Sequence, residues 1–516
     1  MLLPLPTPAE MVIWDRETID SIGIPGITLM ESASREAVNI ITEEYGSVDE
    51  TVVFCFVGSG NNGGDGLAIA RHLTDLGANV TVFHTKPKKK YSGETRTNLL
   101  WAQKLDIPLK HLAAIDVNGL PQPDIVIDAL LGTGFSGELR QDYLDLIQAM
   151  NRLGERAFVL AVDIPSGLNG LTGTPQPEAV MADATATFEA PKLGLIMPEA
   201  NRFAGTIHVC PIGIPLKIQN KHSVDHHLIT GEIMDLIPQT APAMHKGKAG
   251  HVLIIGGSKG LTGAPHLAAL GALRSGAGLV TIACPDDLTD SVKSGRPDIM
   301  TRPLGTGSTW EQGMANPLLK ELDRFDTIVL GPGIGRTLET QAFINAFIRG
   351  CTLPLVLDAD ALFAVAQSPE LLDALPEQTV LTPHPGEMAR LLKTDSATIQ
   401  ANRLQAVRSF SKISDATLVL KGAGTVVSDS ELTCISPFSE PNLAVGGSGD
   451  VLSGVIGSLL ARTMHPIQAA SLAVYWHGLA GNALNEEFPM RGNLASEIAH
   501  MLPIVATPTN EEYSPC

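Results

Sequence analysis

Short apolar runs, too brief for helices, alternate along the chain with stretches of helical periodicity, and most stop at a glycine-rich or acidic turn. A strand that is apolar on both faces must be covered on both faces, and strand–helix–strand repetition makes neighbouring strands parallel. In the first half, strands are expected at 51–57 (TVVFCFV), 80–83, 124–130 and 158–162, with shorter ones near 184–188 and 206–209. A helix is expected over 67–76. In the second half they are expected at 251–255, 279–283, 327–330, 354–357, 379–381 and 417–420. A hairpin over 426–436 and two long helices, 449–462 and 467–484, follow. The 516 residues are too many for one ordinary core. Residues 216–228 read as a polar, loosely structured linker, which leaves two α/β domains, 1–215 and 229–506, and a polar tail over 507–516.

Hydrophobic residues at 44% and charged residues at 18% describe a globular chain with a large core. A formal charge of -19 argues against nucleic acid or an anionic membrane surface as partner. It leaves room for an anionic small ligand, because helix N-termini bind phosphate whatever the global charge. The basic run Lys86-Pro87-Lys88-Lys89-Lys90 reads as a solvated loop. Six cysteines include no CxxC pair, so neither a disulfide framework nor a zinc site is expected, and a reducing cytoplasm fits. The first residues lack a basic n-region, and no run approaches the ~18 apolar residues of a membrane span.

The turn Gly58-Ser59-Gly60-Asn61-Asn62-Gly63-Gly64-Asp65-Gly66 follows a strand and opens a helix, which aims backbone N–H groups at an anion. Residues 58–63 satisfy GxGxxG, but the acidic residue expected after the second strand of a dinucleotide fold is missing from Phe83-His84-Thr85-Lys86. A plain NAD-dependent dehydrogenase is therefore set aside. Strand 124–130 leads into Leu131–Glu138 (LGTGFSGE), and strand 158–162 into Asp163-Ile164-Pro165-Ser166-Gly167. Three such turns gather at the carboxyl edge of a sheet, where open α/β folds bind ligands. Asp163 ends an apolar strand, where a carboxylate is costly unless it is paired or used.

The words GSGNNGGDG, DALLGTGFSGE and VDIPSG, in that order, with GIPGITLMES upstream, resemble the NAD(P)HX epimerase family, the YjeF N-terminal domain, over most of residues 10–215. The resemblance implies a Rossmann-like fold that interconverts the R and S hydrates of NADH and NADPH. It places the ligand on Asn61, Asn62, Gly63, Gly64 and Asp65 and on Gly132, Thr133, Gly134, Phe135, Ser136, Gly137 and Glu138. Asp163 would meet the reacting end. It also implies a potassium ion, held here by Asn62, Asp128 and Ser166, an all-oxygen set that suits a hard cation.

The second half repeats the pattern with other words. Its turns are Gly256-Gly257-Ser258-Lys259-Gly260 after His245-Lys246-Gly247 and a strand, Gly331–Gly335 (GPGIG), Asp358-Ala359-Asp360, Thr382–Glu387 (TPHPGE) and Lys421–Thr425 (KGAGT). GxxxxGK[ST] is absent, so this is no Walker A loop. Gly446-Gly447-Ser448-Gly449-Asp450 opens a helix, where amides can hold phosphoryl oxygens and Asp450 can take a proton from an attacking alcohol. Together these words resemble the ribokinase-like superfamily, and within it the ADP/ATP-dependent NAD(P)HX dehydratases, over most of residues 230–500. Asn442–Val445 departs from the Pro-Gly-Met-like stretch expected there. The resemblance places Ala264, Gly335, His384 and Asp450 on the hydrated cofactor. It places Lys421, Gly422, Ala423, Gly424, Thr425 and Gly449 on the nucleotide.

The fused order implies one repair pathway: the first half converts R hydrate to S, and the second dehydrates S hydrate with ADP and Mg2+. NADHX, NADPHX and ADP are the expected small-molecule partners, and a cytoplasmic homo-oligomer is expected. The rival reading is a ribokinase-like kinase of a vitamin precursor, joined to a non-catalytic Rossmann-like ligand-binding module.

Overall fold

The computed structural model describes residues 2–135, 137–239 and 247–506. Ser136, the His245-Lys246 pair and the tail from 507 lie outside the described residues. Two compact units are present, one over Leu3–His226 and one from His227 onward that also takes in Leu2. The stretch 216–228 is ordered, unlike the expected linker: it carries helix Leu216–Lys221 and enters a strand at His226. Ile218 and Val224 hold it against the first core, two apolar anchors that the polar residues around them conceal in the sequence.

Strands are numbered along the chain, and β1 (Leu2–Pro4) is an edge strand of the second sheet. The first sheet comprises β2 (Val52–Val57), β3 (Asn79–His84), β4 (Leu109–His111), β5 (Ile125–Ala129), β6 (Phe158–Val162), β7 (Ala184–Phe188) and β8 (Thr206–Cys210). Its order is β4-β3-β2-β5-β6-β7-β8, parallel throughout. The chain winds outward from β2 to β4 and then returns to β5 on the other side of β2. That Rossmann-like reversal opens a crevice between the β2 and β5 turns. The uninterrupted apolar run of β2 has a simple cause. Val53, Cys55 and Val57 face one core layer, and Phe54 and Phe56 the other. With side chains alternating across a strand, only a two-sided cover buries all five, each large one stabilising by about 1.5–3 kcal/mol.

The second sheet adds β9 (His226–Ile229), β10 (His251–Ile255), β11 (Leu279–Pro285), β12 (Met300–Leu304), β13 (Thr327–Leu330), β14 (Leu355–Leu357), β15 (Thr379–Leu381), β16 (Thr417–Leu420), β17 (Val426–Ser428) and β18 (Thr433–Ile435). Its order is β1-β9-β18-β17-β16-β15-β14-β13-β10-β11-β12. β10 to β16 are parallel, and β16, β17 and β18 pair antiparallel, inside β9 and the edge strand β1. The expected hairpin is β17–β18, its turn held by Asp429 Oδ1, which accepts from the N–H of Glu431 at 2.9 Å and of Leu432 at 2.8 Å. Here winding reverses between β10 and β13. Val252 and Ile254 face one core layer, Leu253 and Ile255 the other. Helix Ser448–Leu460 packs closely on helix Gly263–Arg274: a Cβ on Gly454 would sit 2.0 Å from the carbonyl oxygen of Ala268. No unbroken apolar run marks β4, β9 or β12: β4 and β12 are partly exposed, and β9, though largely buried, opens with two histidines.

Candidate functional site

In the first unit the reversal point is a cavity of about 620 Å3. It is lined by Ser59 to Asn62 after β2, by Gly132, Thr133, Gly134 and Phe135 after β5, and by Asp163 after β6. The helix after β2 starts at Asn61, earlier than its apolar periodicity indicates. Glycines in the first turn disfavour a helix, but packing demands them: a Cβ on Gly63 would lie 2.0 Å from the carbonyl oxygen of Gly58. No side chain caps this helix, so its first N–H groups remain for a ligand. Gly63 and Gly64 are buried behind the cavity wall, whereas Gly137 and Glu138 are exposed and do not line it. Lys88–Lys90 form an exposed turn, as expected of a solvated run.

Asp163 sits at φ +68°, a left-handed conformation uncommon for a residue with a side chain. Its N–H donates to the carbonyl of Ala186 at 2.8 Å. Its Oδ1 lies 2.5 Å from Nζ of Lys192, whose side chain is 1% exposed. Lys192 Nζ also donates to Thr187 Oγ1 at 3.1 Å and to the Phe188 carbonyl at 2.8 Å. Three more carboxylates line the same cavity, Asp65, Glu94 and Asp15, the last on helix Pro8–Glu17. Burial, reinforced by the negative charge of Asp163, pushes Asp15 up to about 6, against the pull of Lys192. Burial, with Asp163 and Asp15 adding to it, holds Asp65 well above the usual carboxylate range. Sequence reasoning passed over Lys192 and Asp15. The signal for Lys192 was its place just past a strand that ends at the same edge.

Asn62, Asp128 and Ser166 converge beside this cavity around Leu131. Asp128 is fully buried, and its Oδ1 accepts from Ser166 Oγ at 2.6 Å and its Oδ2 from Ser166 N–H at 2.7 Å. Leu131 N–H donates to Ser166 Oγ at 2.9 Å, and Asn62 Nδ2 donates to the Leu131 carbonyl at 2.9 Å. Asn62 Oδ1 is buried and has no hydrogen-bond partner among the described residues. Burial raises Asp128 to about 6, against its bonds from Ser166. An unpaired buried amide oxygen beside a buried carboxylate is what a hard cation satisfies.

In the second unit the turns after β10, β13, β14, β15 and β16 gather at one edge with the start of helix Ser448–Leu460. Ala264 opens helix Gly263–Arg274 beside Gly333, whose Cβ position lies 3.2 Å from Ala264 Cβ. Gly335 N–H donates to Asp360 Oδ2 at 3.0 Å, and Arg336 Nε to Asp360 Oδ1 at 2.6 Å. Lys421 Nζ pairs with the buried Asp358 Oδ1 at 2.7 Å and lies 3.1 Å from where a Cβ on Gly449 would sit. Burial alone would depress Lys421, but Asp358 and Glu387 raise it, so it carries charge. Burial, then Asp358, lifts Asp450 to about 7, with Lys421 opposing. No side chain caps the Asp450 helix, whose N-cap Gly447 is left-handed. Gly422 and Ala423 are exposed at the mouth, where Thr425 Oγ1 ties back to the Gly422 carbonyl at 2.8 Å.

His384 has a structural task as well as its expected one. Its Nδ1 accepts from Gly386 N–H at 3.0 Å and caps helix Pro385–Leu391, while its side chain stays 52% exposed. Two further residues reinforce the site, Glu387 at the end of the TPHPGE turn and His477, which stands in no motif. Glu387, raised to about 7 by burial, returns the cap by accepting from His384 N–H at 2.9 Å. His477, depressed to about 4 by burial, meets Ser448 Oγ at 3.2 Å behind the glycine-rich turn. Where the chain departs from the expected Pro-Gly-Met-like stretch, Asn442 is buried and donates from Nδ2 to Asn485 Oδ1 at 2.7 Å.

Residues 26–194 match the family model described as YjeF-related protein N-terminus, and residues 252–504 the model described as NAD(P)H-hydrate dehydratase. The bifunctional NAD(P)H-hydrate repair enzyme of Moorella thermoacetica is 38% identical over 98% of this chain and 97% of its own. Its namesake from Coxiella burnetii is 35% identical over 96% of this chain and 97% of its own. The solved ADP/ATP-dependent NAD(P)H-hydrate dehydratase of Bacillus subtilis, co-crystallised with ATP/Mg2+, is 27% identical, covering 54% of this chain and 96% of its own at a TM-score of 0.46. With both family models matched in order and such identity over nearly its whole length, the chain belongs to the family of bifunctional NAD(P)H-hydrate repair enzymes.

Proposed function

We propose that the two units perform successive steps of one repair: the first interconverts R and S hydrates of NADH and NADPH, and the second dehydrates the S hydrate with ADP. The observation that carries this reading is that each unit gathers a polar site from the turns at the carboxyl edge of its own sheet. One is built around Asp163 and Lys192, the other around Asp450, Lys421 and Asp358. In the first unit the turns after β2 and β5 hold the ligand and Asp163 meets its reacting end. Asn62, Asp128 and Ser166 would hold potassium, a hard cation suited to their oxygens. In the second unit Ala264, Gly335, His384 and Asp450 face the hydrate, while Lys421 to Thr425 and Gly449 face the nucleotide.

Phosphoryl transfer from ADP to the C6 hydroxyl of the hydrate gives AMP and a phosphate ester. Loss of phosphate from C6 with a proton from C5 then restores the dihydropyridine ring. Asp450 accepts the hydroxyl proton, and the uncapped helix start beside it supplies N–H groups for phosphoryl oxygens. Mg2+ accompanies the nucleotide as a hard cation on its phosphates. The deciding experiment supplies mixed R and S hydrate with ADP or ATP and follows absorbance at 340 nm. Complete conversion of both isomers with ADP is expected. A stable phosphorylated product with no rise at 340 nm would mean an ordinary alcohol kinase.

A further inference from the structure

The cavity of the first unit has an uneven charge inventory. Asp15, Asp65, Asp163 and Glu94 bring carboxylates to its lining, and Lys192 is the one cationic side chain among the lining residues. Lys192 is committed to Asp163 at 2.5 Å and is otherwise tied down by Thr187 and the Phe188 carbonyl. Among the described residues Asp15 has no ion-pair partner: Lys221 and His222 pair with Glu17 of its helix, and Arg16 with Asp20. Buried carboxylates close to one another cannot all ionise, and the one with the counter-ion takes the charge.

We propose that Asp15 is the proton donor and Asp163 the proton acceptor of the epimerisation, with Lys192 the residue that positions Asp163. This rests on the epimerase reading above. Asp15 gives its proton to the C6 hydroxyl of the hydrate. The C6–O bond breaks, its electron pair leaving in a water molecule, while the lone pair of the ring nitrogen forms a C=N bond. A water then adds to the opposite face of C6, the nitrogen recovers its lone pair, and Asp163 takes the surplus proton. Composition and oxidation state are unchanged, and exchange with solvent returns the proton to Asp15.

Burial first, then the charges of Asp163 and Glu189, favours the neutral form of Asp15, and Lys192 opposes them; Asp65 and Glu94 share the cavity. A donor must be protonated, so kcat/KM for epimerisation is expected to fall as pH rises above about 6. The test follows pure R hydrate by chromatography in the full-length protein with potassium present. Asp15→Asn should lower kcat by ~10²-fold with little change in KM and remove the alkaline fall. Lys192→Met should lower kcat by a similar ~10²-fold, and Lys192→Arg, which keeps the charge, should recover most of it. Thermal melting of each variant identifies loss of fold, and Lys192→Arg carries the test if Lys192→Met does not fold. Asp15→Asn with wild-type kcat and alkaline limb, or Lys192→Arg as slow as Lys192→Met, would overturn the proposal. A wild-type protein that does not epimerise at all would instead sink the reading of the unit.

Discussion

Asp450 and Asp163 share a chemical problem: each is a carboxylate at the end of an apolar element, drawn partly out of water, and each stands beside a lysine. For Asp450 the consequence is a titration near neutrality. As a base it must be ionised, so with burial raising it to about 7, dehydration is expected to rise as pH climbs through 7. Asp450→Asn keeps the shape and hydrogen bonding but cannot accept the proton. Nucleotide-dependent dehydration of S hydrate should drop by at least ~10²-fold, with ADP affinity little changed and epimerisation intact. Asp163→Asn should do the reverse, sparing dehydration of S hydrate and stranding the R form. Asp450→Asn at the wild-type dehydration rate would remove it from the chemistry. Both aspartates stand in motifs legible in the sequence, Asp450 closing Gly446–Asp450 and Asp163 opening Asp163–Gly167. Asp15 and Lys192 were not, since an aspartate in a helix and a lysine after a proline look like ordinary surface residues until the fold buries them together.

Asn62 in the helix after β2, Asp128 near the end of β5 and Ser166 in the turn after β6 could share one cation only because three strands hold them in register. β5 pairs with β2 on one side and β6 on the other, and that brings Asp128, Asn62 and Ser166 within reach of one another. Burial raises Asp128 to about 6, so a cation there competes with a proton and binds more tightly as pH rises through that value. Replacing potassium by lithium or by a bulky organic cation should slow R-to-S conversion, most strongly below pH 6, while dehydration of S hydrate proceeds. Epimerisation at an unchanged rate in all three media would remove the metal from the site. The strands were readable as apolar runs, but the helix start at Asn61 was not. Its glycines argue against a helix in isolation, and only the lack of room for a Cβ at Gly63 explains them.

At the scale of the molecule, each unit owns its core layers and its polar site, so the activities should survive separation. Residues 3–226 and 227–516, expressed apart, are expected to epimerise and to dehydrate respectively, the second without its β1 edge strand. The measurement is the rate of each piece against the full chain. A first piece that folds but does not epimerise, or a second that folds but does not dehydrate, would mean that the activities require the covalent link. Among the described residues, no helix is long and apolar enough to cross a membrane.

The sequence by itself determined that there are two α/β units, where most strands lie, and which glycine-rich and acidic turns end them. Those properties follow from local apolar periodicity and from short words whose residue types have few alternative uses. Only the tertiary structure decided where the winding reverses, that 216–228 is ordered rather than loose, and that Lys192 and Asp15 meet Asp163. Strand order and side-chain burial arise from contacts between segments far apart in the chain. A lone lysine gives no sign of the carboxylate it will neutralise until both have left water.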